Sequence, residues 1–414
     1  MTHIAIIGSG PAGCYLADHL LRLIPDAAID VIEQLPVPFG LIRYGVAPDH
    51  QSTKAVARVF DRALGRERVS FFGNVSVGRD VSFDELMSLY DAVVLATGAQ
   101  RDRKLGIPGE EMPGVIGSGA FVGWYNGHPD KLPPDVANVR SAVVIGNGNV
   151  AIDVARILAK STQELAGSDL SSEVQDWLSA QPLERIHIIG RRGAADARFT
   201  DHELAELGGL QRARPVVDVA DLSGESAVVK TLRNFAESPA RDTPVEIHFH
   251  FHLAPFAFLG EEKLEAVEFR TGTTGDRVDI PAQLAVTCIG YEALACCSLV
   301  PVNGCFANEG GKVGERLYAV GWAKRGPSGT IPTNRVEAQQ VAQRMAEEIA
   351  DGNRAGGARL RELLLERGVR WVDYTGWRRI DAAELAQASA DRCRVKLGTT
   401  AEMLQAARGG SGST

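Results

Sequence analysis

Short apolar runs alternate with stretches of helical spacing from the first residues of the chain. Residues 3–7, HIAII, form an apolar run that ends at Gly8, a pattern typical of a buried parallel strand. Residues 12–24 then carry apolar side chains at helical spacing, and Pro25 ends this stretch. The same unit of strand, glycine loop and helix begins again at residue 141. We therefore predict an α/β fold with parallel sheets and two Rossmann-like nucleotide-binding domains.

The first glycine loop, GSGPAG, matches the dinucleotide-binding pattern G-x-G-x-x-G between a strand and a helix. Gly8 permits the tight turn, Gly10 lets the backbone approach a pyrophosphate, and Gly13 lets the helix pack on the strand. Glu33 lies 20 residues after Gly13, at the end of the next apolar run. Its carboxylate would accept ribose hydroxyls and repel a 2′-phosphate, which predicts FAD or NAD in this loop.

The second glycine loop, GNGNVA, begins at Gly146 and has an alanine in place of the last glycine. The next strand, IHII, is followed by Gly190 and then by Arg191 and Arg192 where the first unit has its acid. Paired guanidinium groups match the 2′-phosphate of NADPH, although two solvated surface arginines are the alternative. This asymmetry assigns FAD to the first loop and NADPH to the second.

The composition excludes several classes of protein. The chain has 414 residues and a formal net charge of -8, which disfavours a nucleic-acid binder. No apolar run approaches the roughly 20 residues of a membrane span, and the N-terminus lacks a secretory signal, so we expect a cytoplasmic protein. The six cysteines form no C-x-x-C pair, which argues against a dithiol redox centre.

A row of histidines at residues 248, 250 and 252 alternates with apolar residues. If the whole row is a strand, His248, His250 and His252 share one face. Such a row can chelate a metal, but solvent-facing imidazoles are the commoner outcome, and we predict no metal site.

Four segments carry a family resemblance: VPFGLIRYGVAPDH (37–50), VVIGNGNVAIDVARIL (143–158), GRRG (190–193) and AVGWAKRGPSGTIPTN (319–334). Together they resemble the adrenodoxin-reductase type of NADPH:ferredoxin reductase. The resemblance implies an FAD domain, residues 1–103 and 291–414, interrupted by an NADP domain, residues 104–290. It also implies that hydride passes from NADPH to FAD, and that single electrons then pass to a two-iron, two-sulfur ferredoxin that feeds a monooxygenase or similar oxygenase.

The glycine motifs and the resemblance together predict the cofactor-binding residues. Those predicted for FAD are Gly8, Gly10, Pro11, Ala12, Gly13, Glu33, Gln34, Leu41, Val46, Val77, Ala96, Thr97, Gly98, Trp322, Gly329, Thr330 and Ile331. Those predicted for NADP(H) are Arg103, Gly146, Asn147, Gly148, Asn149, Val150, Arg191, Arg192, Glu203 and Gly329.

The resemblance also places His50 and Asp153 beside the nicotinamide and the flavin edge, as residues that line the catalytic site. The alternative is that His50 caps a helix and Asp153 makes a structural bond. We further expect a transient, electrostatically steered complex with the ferredoxin, and a monomer or weak dimer. The basic residues predicted near the flavin opening are Arg43, Arg101, Lys104, Lys324 and Arg325. A solvated charged face is the alternative for this set.

Two other functions remain open at this point. One is an electron-donating FAD and NADPH subunit of a larger multi-component complex, as in glutamate synthase. The other is an NADPH-dependent flavoprotein with a different acceptor, such as a disulfide reductase or a monooxygenase. The absence of a C-x-x-C pair disfavours a disulfide reductase.

Overall fold

The computed structural model describes residues 1–272, 274–296, 299–349 and 352–409. The strands, in chain order, are β1 (His3–Ile7), β2 (Ala28–Glu33), β3 (Val69–Gly73), β4 (Ala92–Leu95), β5 (Arg101–Asp102), β6 (Val115–Gly117), β7 (Ser141–Ile145), β8 (Arg185–Ile189), β9 (Ala213–Val217), β10 (Val245–His250), β11 (Leu253–Leu259), β12 (Ala266–Thr271), β13 (Arg277–Pro281), β14 (Leu284–Thr287), β15 (Tyr291–Glu292), β16 (Lys312–Gly314) and β17 (Leu317–Ala319).

The helices are α1 (Pro11–Leu23), α2 (Leu41–Tyr44), α3 (Gln51–Lys54), α4 (Ala57–Leu64), α5 (Phe83–Leu89), α6 (Ser118–Tyr125), α7 (Asn149–Ala159), α8 (Ser172–Ala180), α9 (Asp201–Glu206), α10 (Ala227–Glu237), α11 (Trp322–Arg325), α12 (Ile331–Glu348), α13 (Gly356–Glu366), α14 (Tyr374–Ala386) and α15 (Thr400–Ala407). Among these helices, none is long and apolar enough to cross a membrane.

Two six-stranded sheets form the framework of the molecule. The first has the order β16-β17-β4-β1-β2-β3, and all its neighbouring strands are parallel except β16 and β17. The second has the order β6-β14-β7-β8-β10-β9 and is parallel throughout. Their central strands are buried on both faces, as expected for sheets covered by helices. The predicted α/β fold with two Rossmann-like units is confirmed.

The chain passes between the two sheets through one short antiparallel ribbon. Strands β5 and β15 pair there, with Tyr291 opposite Asp102 and Glu292 opposite Arg101. We call residues 103–290, which lie between these strands, the inner half, and the rest of the chain the outer half. The ribbon lies next to the predicted domain boundaries, which themselves stay a prediction.

A third, antiparallel sheet of β11, β12 and β13 belongs to the inner half. Its buried face, including Phe258 and Phe269, packs against Val143, Ile145 and Ile189 at the carboxyl ends of β7 and β8. The other face of the parallel sheet packs on helices, so both faces of these central strands are covered.

A buried cluster of charges joins the two halves. Asp169 of the inner half lies 2.8 Å from Lys54 Nζ and 3.0 Å from Lys396 Nζ, both in the outer half. Asn126 accepts from both lysines, at 2.9 Å in each case. Burial would raise the pKa of Asp169, but the charges of Lys396 and Lys54 outweigh it and lower that pKa. The carboxylate therefore stays ionised beside two buried lysines, whose own pKa values burial lowers.

Replacing Asp169 with asparagine should weaken the fold strongly. The change removes the carboxylate that faces two buried lysines, and breaking a buried ion pair in this way costs about 3 kcal/mol or more. The free energy of unfolding from a denaturant titration measures the loss. Glu111→Gln, which removes an exposed partner of Lys104, is the matched control and should change little. An Asp169→Asn variant as stable as the control would show that the cluster does not hold the halves together.

Candidate dinucleotide-binding sites

The glycines of the first loop divide into two groups by the space around them. Gly8 has φ 108°, and a Cβ there would lie 2.4 Å from the carbonyl oxygen of Ala96. A Cβ on Gly13 would lie 2.3 Å from the carbonyl oxygen of Gly8. Both glycines are therefore required by packing. A Cβ on Gly10 would meet nothing within 4 Å, so the loop leaves open space at the start of α1, where a pyrophosphate binds.

Glu33 lies at the carboxyl end of β2 and is directly linked to the first loop. Its side chain is 9% exposed and accepts from Ser9 Oγ at 2.7 Å, from Ser9 N at 3.1 Å and from Leu35 N at 3.1 Å. Burial raises the pKa of Glu33, and these donors act in the opposite direction. The carboxylate is thus fixed beside the loop, where the ribose of a dinucleotide would lie.

Three other segments approach the first loop. A Cβ on Gly40, next to the predicted Leu41, would lie 3.2 Å from Gly10 Cα. Ala96 contacts Gly8 and Gly13, and a Cβ on Gly321, next to Trp322, would lie 2.5 Å from the Cβ of Ala12. The structure therefore brings the neighbourhoods of these predicted FAD residues together.

The other predicted FAD residues are less closely tied to this loop. Pro11 opens α1, and Val46 follows α2 with its amide bonded to the Leu41 carbonyl. Gln34 is exposed beside Glu33, and Val77 pairs with Val81. The partly exposed Thr97 and Gly98 follow β4, and Gly329, Thr330 and Ile331 form the start of α12, with Thr330 as its N-cap.

The second loop repeats the arrangement in the inner half. A Cβ on Gly146 would lie 2.2 Å from the carbonyl oxygen of Cys288, whereas one on Gly148 would meet nothing within 4 Å. Gly148 is the N-cap of α7, and no side chain caps this helix. The side chain of Asn149 accepts from Thr200 N at 2.8 Å, and Val150, next in α7, is partly exposed. The open helix start therefore offers a second place for a pyrophosphate.

The side chain of Asn147 places a buried polar atom at the second loop. Its Oδ1 is shielded from solvent and has no hydrogen-bond partner among the residues that the structure describes. A buried polar atom without a partner is unfavourable, so this atom fits a site completed by a ligand.

Arg191 and Arg192 follow the end of β8, which is in register with β7. Both side chains are exposed, and within the described ranges neither forms an ion pair. Their charges are thus available to an anion at the sheet edge that carries Gly146. Arg103 lies elsewhere, at the crossing ribbon, where its Nε donates to the Tyr291 carbonyl at 3.0 Å. None of the contacts seen for it joins it to the arginine pair.

Predicted catalytic residues from both halves meet in one cluster. His50 Nε2 lies 3.1 Å from Glu206 Oε2, and His50 Nδ1 lies 3.8 Å from Asp153 Oδ1. Glu203 is adjacent, and one ligand atom each of His50, Glu203 and Glu206 lie within 4.8 Å of one another. A divalent cation would fit that spacing, so our expectation that the protein has no metal stays untested. Glu206 was missed by sequence reasoning, because only the fold brings α9 to His50.

Arg156 lies beneath this cluster and is fully buried. It contacts Asp153 at 2.7 Å, Glu206 at 3.3 Å, and Asp49. Asp153 therefore makes the structural bond considered above, whereas the side chain of His50 does not cap α3. Burial raises the pKa of Asp153, and burial together with Asp153 raises that of Glu203. These carboxyl groups hold protons more readily than exposed ones do.

An aromatic pair lies where the halves join. The rings of Tyr291 and Trp322 stack at 5.8 Å with an interplanar angle of 17°. Tyr291 also shares a hydrogen bond of 3.1 Å with Ser118 Oγ, and its ring is thereby fixed. Tyr291 was missed in the sequence, although it follows directly on the apolar run that ends at Gly290.

The predicted row of three histidines is wrong at one position. Strand β10 ends at His250, and His252 adopts φ 57° in the following turn, with its ring against Gly193. The third imidazole on this face is His187 of β8, whose Nδ1 lies 3.0 Å from His250 Nε2. His248 stacks on His187 at a centroid distance of 5.3 Å.

This histidine cluster should make the protein sensitive to acid. Burial, followed by the neighbouring imidazoles, lowers the pKa of His187 from 6.5 to about 3 and that of His250 to about 4. The unfolded chain binds protons at these residues below about pH 6.5 and the folded chain does not, so stability falls as the pH drops from 6.5 towards 4. Unfolding midpoints measured across this range should vary less in a His187→Gln, His250→Gln variant. The exposed His202, changed to glutamine, is the control; equal slopes in all three proteins would contradict the prediction.

The basic residues predicted to dock a ferredoxin form ion pairs with acidic residues of this chain. Arg43 is 6% exposed and donates to Glu384 in a bidentate pair, so no partner protein reaches it. The other four are each paired with an acid: Arg101 with Glu292, Lys104 with Glu111, and Lys324 and Arg325 with Glu337. Arg43 is thus wrong as a docking residue, and the other four share three carboxylates, which leaves one positive charge unbalanced.

Comparison with known proteins agrees with this geometry. A family model described as pyridine nucleotide-disulphide oxidoreductase matches residues 2–346. The chain belongs to this family. A mitochondrial NADPH:adrenodoxin oxidoreductase of Arabidopsis thaliana is 37% identical to it, over 98% of this chain and 95% of the relative. NADPH-ferredoxin reductase FprA of Mycobacterium tuberculosis (strain ATCC 25618 / H37Rv) is 38% identical, over 97% of this chain and 98% of the relative.

The solved structure of Mycobacterium tuberculosis FprA in complex with NADPH superposes with a TM-score of 0.93. FprA in that structure is 36% identical in sequence to the present chain. The superposition covers 99% of the present chain and 100% of the FprA chain. The resemblance to the adrenodoxin-reductase type, stated from four sequence segments, is confirmed.

Proposed function

We propose that the chain is an NADPH-dependent ferredoxin reductase that binds FAD in its outer half and NADPH on its inner half. One asymmetry carries the proposal. The strand after the first glycine loop ends on the buried carboxylate of Glu33. The strand after the second is followed by the exposed Arg191 and Arg192, which have no ion-pair partner in the described part of the chain. A carboxylate repels a 2′-phosphate and two guanidinium groups bind one, so the two loops suit different dinucleotides.

The residues present fit both groups. Gly10 and Gly148 leave open space at the two helix starts. The Oδ1 of Asn147 has no hydrogen-bond partner among the described residues, and a ligand would supply one. Bound FAD would supply redox chemistry that side chains lack, because a flavin accepts two electrons from a dihydronicotinamide and releases them one at a time. The domain assignment, 1–103 and 291–414 for FAD and 104–290 for NADP, belongs to this proposal.

Residues of this chain would orient the nicotinamide ring and keep water away from it. Tyr291 and Trp322 form a stacked apolar wall at the junction of the halves. His50 and Glu206 share a hydrogen bond that spans the junction, so they fix one half against the other. Burial raises the pKa values of Asp153 and Glu203, which lie beside His50, so these carboxyl groups would be the ones to face the amide of a bound nicotinamide.

The electron acceptor we propose is an iron–sulfur protein of the ferredoxin type. Support comes from two relatives that align along nearly the whole chain, whose names specify adrenodoxin and ferredoxin. The basic residues predicted for docking are mostly neutralised, so we propose a transient complex in which charge steering is weak. Raising the salt concentration should therefore slow ferredoxin reduction only slightly.

An anaerobic titration tests the proposal. The purified protein should carry FAD, and NADPH should bleach the flavin band at far lower concentration than NADH. The reduced protein should then reduce a two-iron, two-sulfur ferredoxin in a stopped-flow experiment. A colourless preparation that takes up no FAD would overturn the assignment of the first loop. Equal bleaching by the two nucleotides would overturn the assignment of Arg191 and Arg192 to the 2′-phosphate. Failure to reduce the ferredoxin would overturn the proposal that a ferredoxin is the electron acceptor.

A further inference from the structure

A third arginine lies against the second glycine loop. The backbone N–H of Arg198 donates to the carbonyl oxygen of Asn147 at 2.7 Å, and that of Phe199 donates to the same oxygen at 3.1 Å. The ring of Phe199 is 2% exposed and packs against Phe249 at a centroid distance of 6.3 Å. Buried Phe199 therefore anchors this segment, and Arg198 is fixed beside the loop with its side chain exposed.

Asn147 also touches the segment that carries the other two arginines. A Cβ on Gly190 would lie 1.9 Å from Asn147 Nδ2, so the amide lies directly on the residue before Arg191. One loop residue thus contacts Gly190 through its side chain and Arg198 through its carbonyl group. The arginines at 191, 192 and 198 therefore belong to one site, although the sequence separates them.

The charge of Arg198 has no partner among the residues that the structure describes. Among the described residues, its guanidinium forms neither an ion pair nor a hydrogen bond, and the same holds for Arg191 and Arg192. Other arginines of the inner half are paired, for example Arg214 with Glu246 and Arg140 with Glu184. Three exposed arginines whose backbone adjoins one loop, and which have no ion-pair partner in the part of the chain that the structure describes, favour a ligand with more than one anionic group.

Arg198 adjoins a different part of the site from Arg191 and Arg192. Arg191 and Arg192 follow the strand whose end meets the ribose in this kind of unit, which suits the 2′-phosphate. Asn147 lies between Gly146 and Gly148 at the start of α7, where the pyrophosphate binds. Its carbonyl oxygen is occupied by the N–H groups of residues 198 and 199 and is thereby turned away from an anion.

We propose that Arg198 binds the pyrophosphate of NADPH and so contributes to affinity without selecting between NADPH and NADH. This inference rests on the proposed function, because it assumes a dinucleotide in the second loop. It divides the arginines by role, with 191 and 192 for specificity and 198 for affinity shared by both nucleotides.

The test compares Arg198→Gln with the double variant Arg191→Gln, Arg192→Gln in the FAD-loaded protein. Arg198→Gln should raise the KM for NADPH and for NADH by a similar factor, about tenfold, since it removes a charge-assisted hydrogen bond. It should leave unchanged the inhibition constant of 2′-AMP, which has the 2′-phosphate and lacks the pyrophosphate. The double variant should weaken 2′-AMP and NADPH but not NADH. Arg198→Lys should recover most of the affinity.

Arg140→Gln is the matched control, because it makes the same change of charge at an exposed arginine of the inner half that pairs with Glu184. An Arg198→Gln variant that behaves like this control would overturn the inference, as would an effect on NADPH and 2′-AMP alone. In either case the wild type would still prefer NADPH, so the proposed function would stand. A wild type that NADPH fails to reduce would instead overturn the proposed function itself.

Discussion

Gly10→Val should yield a folded protein that does not retain FAD. A Cβ at Gly10 would meet no described atom within 4 Å apart from its chain neighbours, and the φ of -69° there suits any residue, so we expect the fold to tolerate the change. The added methyl groups instead fill the space left for a pyrophosphate. The flavin content after gel filtration and the circular dichroism spectrum separate loss of the cofactor from loss of the fold.

Gly148→Val is the corresponding test of the second glycine loop. Its Cβ also meets nothing within 4 Å, but the loop lies in the inner half. This variant should keep its FAD and lose reduction by NADPH. Gly8→Ala is a third comparison, because its Cβ would approach Ala96 O to 2.4 Å at a φ of 108°, and the whole fold should suffer. If Gly10→Val retained FAD, the pyrophosphate would lie elsewhere.

The Arg191→Gln, Arg192→Gln variant should lose its preference for NADPH. Hydrogen bonds to charged groups contribute about 1.5–3 kcal/mol each, so removing two should lower kcat/KM for NADPH about a hundredfold or more. The value for NADH should change little, since NADH lacks the phosphate that these side chains bind. Steady-state rates with both nucleotides, using ferricyanide as the acceptor, measure the ratio. An unchanged ratio would mean that other residues read the 2′-phosphate.

The features that the sequence predicts best are those built from neighbouring residues. The strand, glycine loop and helix around Gly8 and around Gly146 follow from local spacing, and the structure shows both. The roles of Glu33 and Arg191 depend on the end of the next strand, which βαβ geometry fixes in advance. Four segments of family resemblance were enough to anticipate the full-length relatives.

Features that depend on residues far apart in the sequence were not predicted. Arg43 is buried because Glu384, 341 residues away, pairs with it, and the basic character of its own segment gave no sign of this. The histidine row ended early because the backbone turns at His252, which takes a positive φ that alternation cannot reveal. Arg198 adjoins its loop through Asn147, and Glu206 joins its cluster through His50 and Arg156, contacts that only the fold creates.

The passage of the chain through one two-stranded ribbon has a consequence for the order of folding during synthesis. Every strand of the inner parallel sheet has been made once β14 ends at Thr287, so this half is ready to fold as a continuous segment. The outer sheet cannot yet be complete at that point, because one edge of β4 pairs with β17. Val93 of β4 pairs with Leu317, so this edge stays open until Leu317 has been synthesised and has left the ribosome. Until then β4 presents an open apolar edge, the kind of surface on which chains aggregate. We therefore expect fragments that stop just before residue 317 to be the aggregation-prone form of this protein, with their inner half already native.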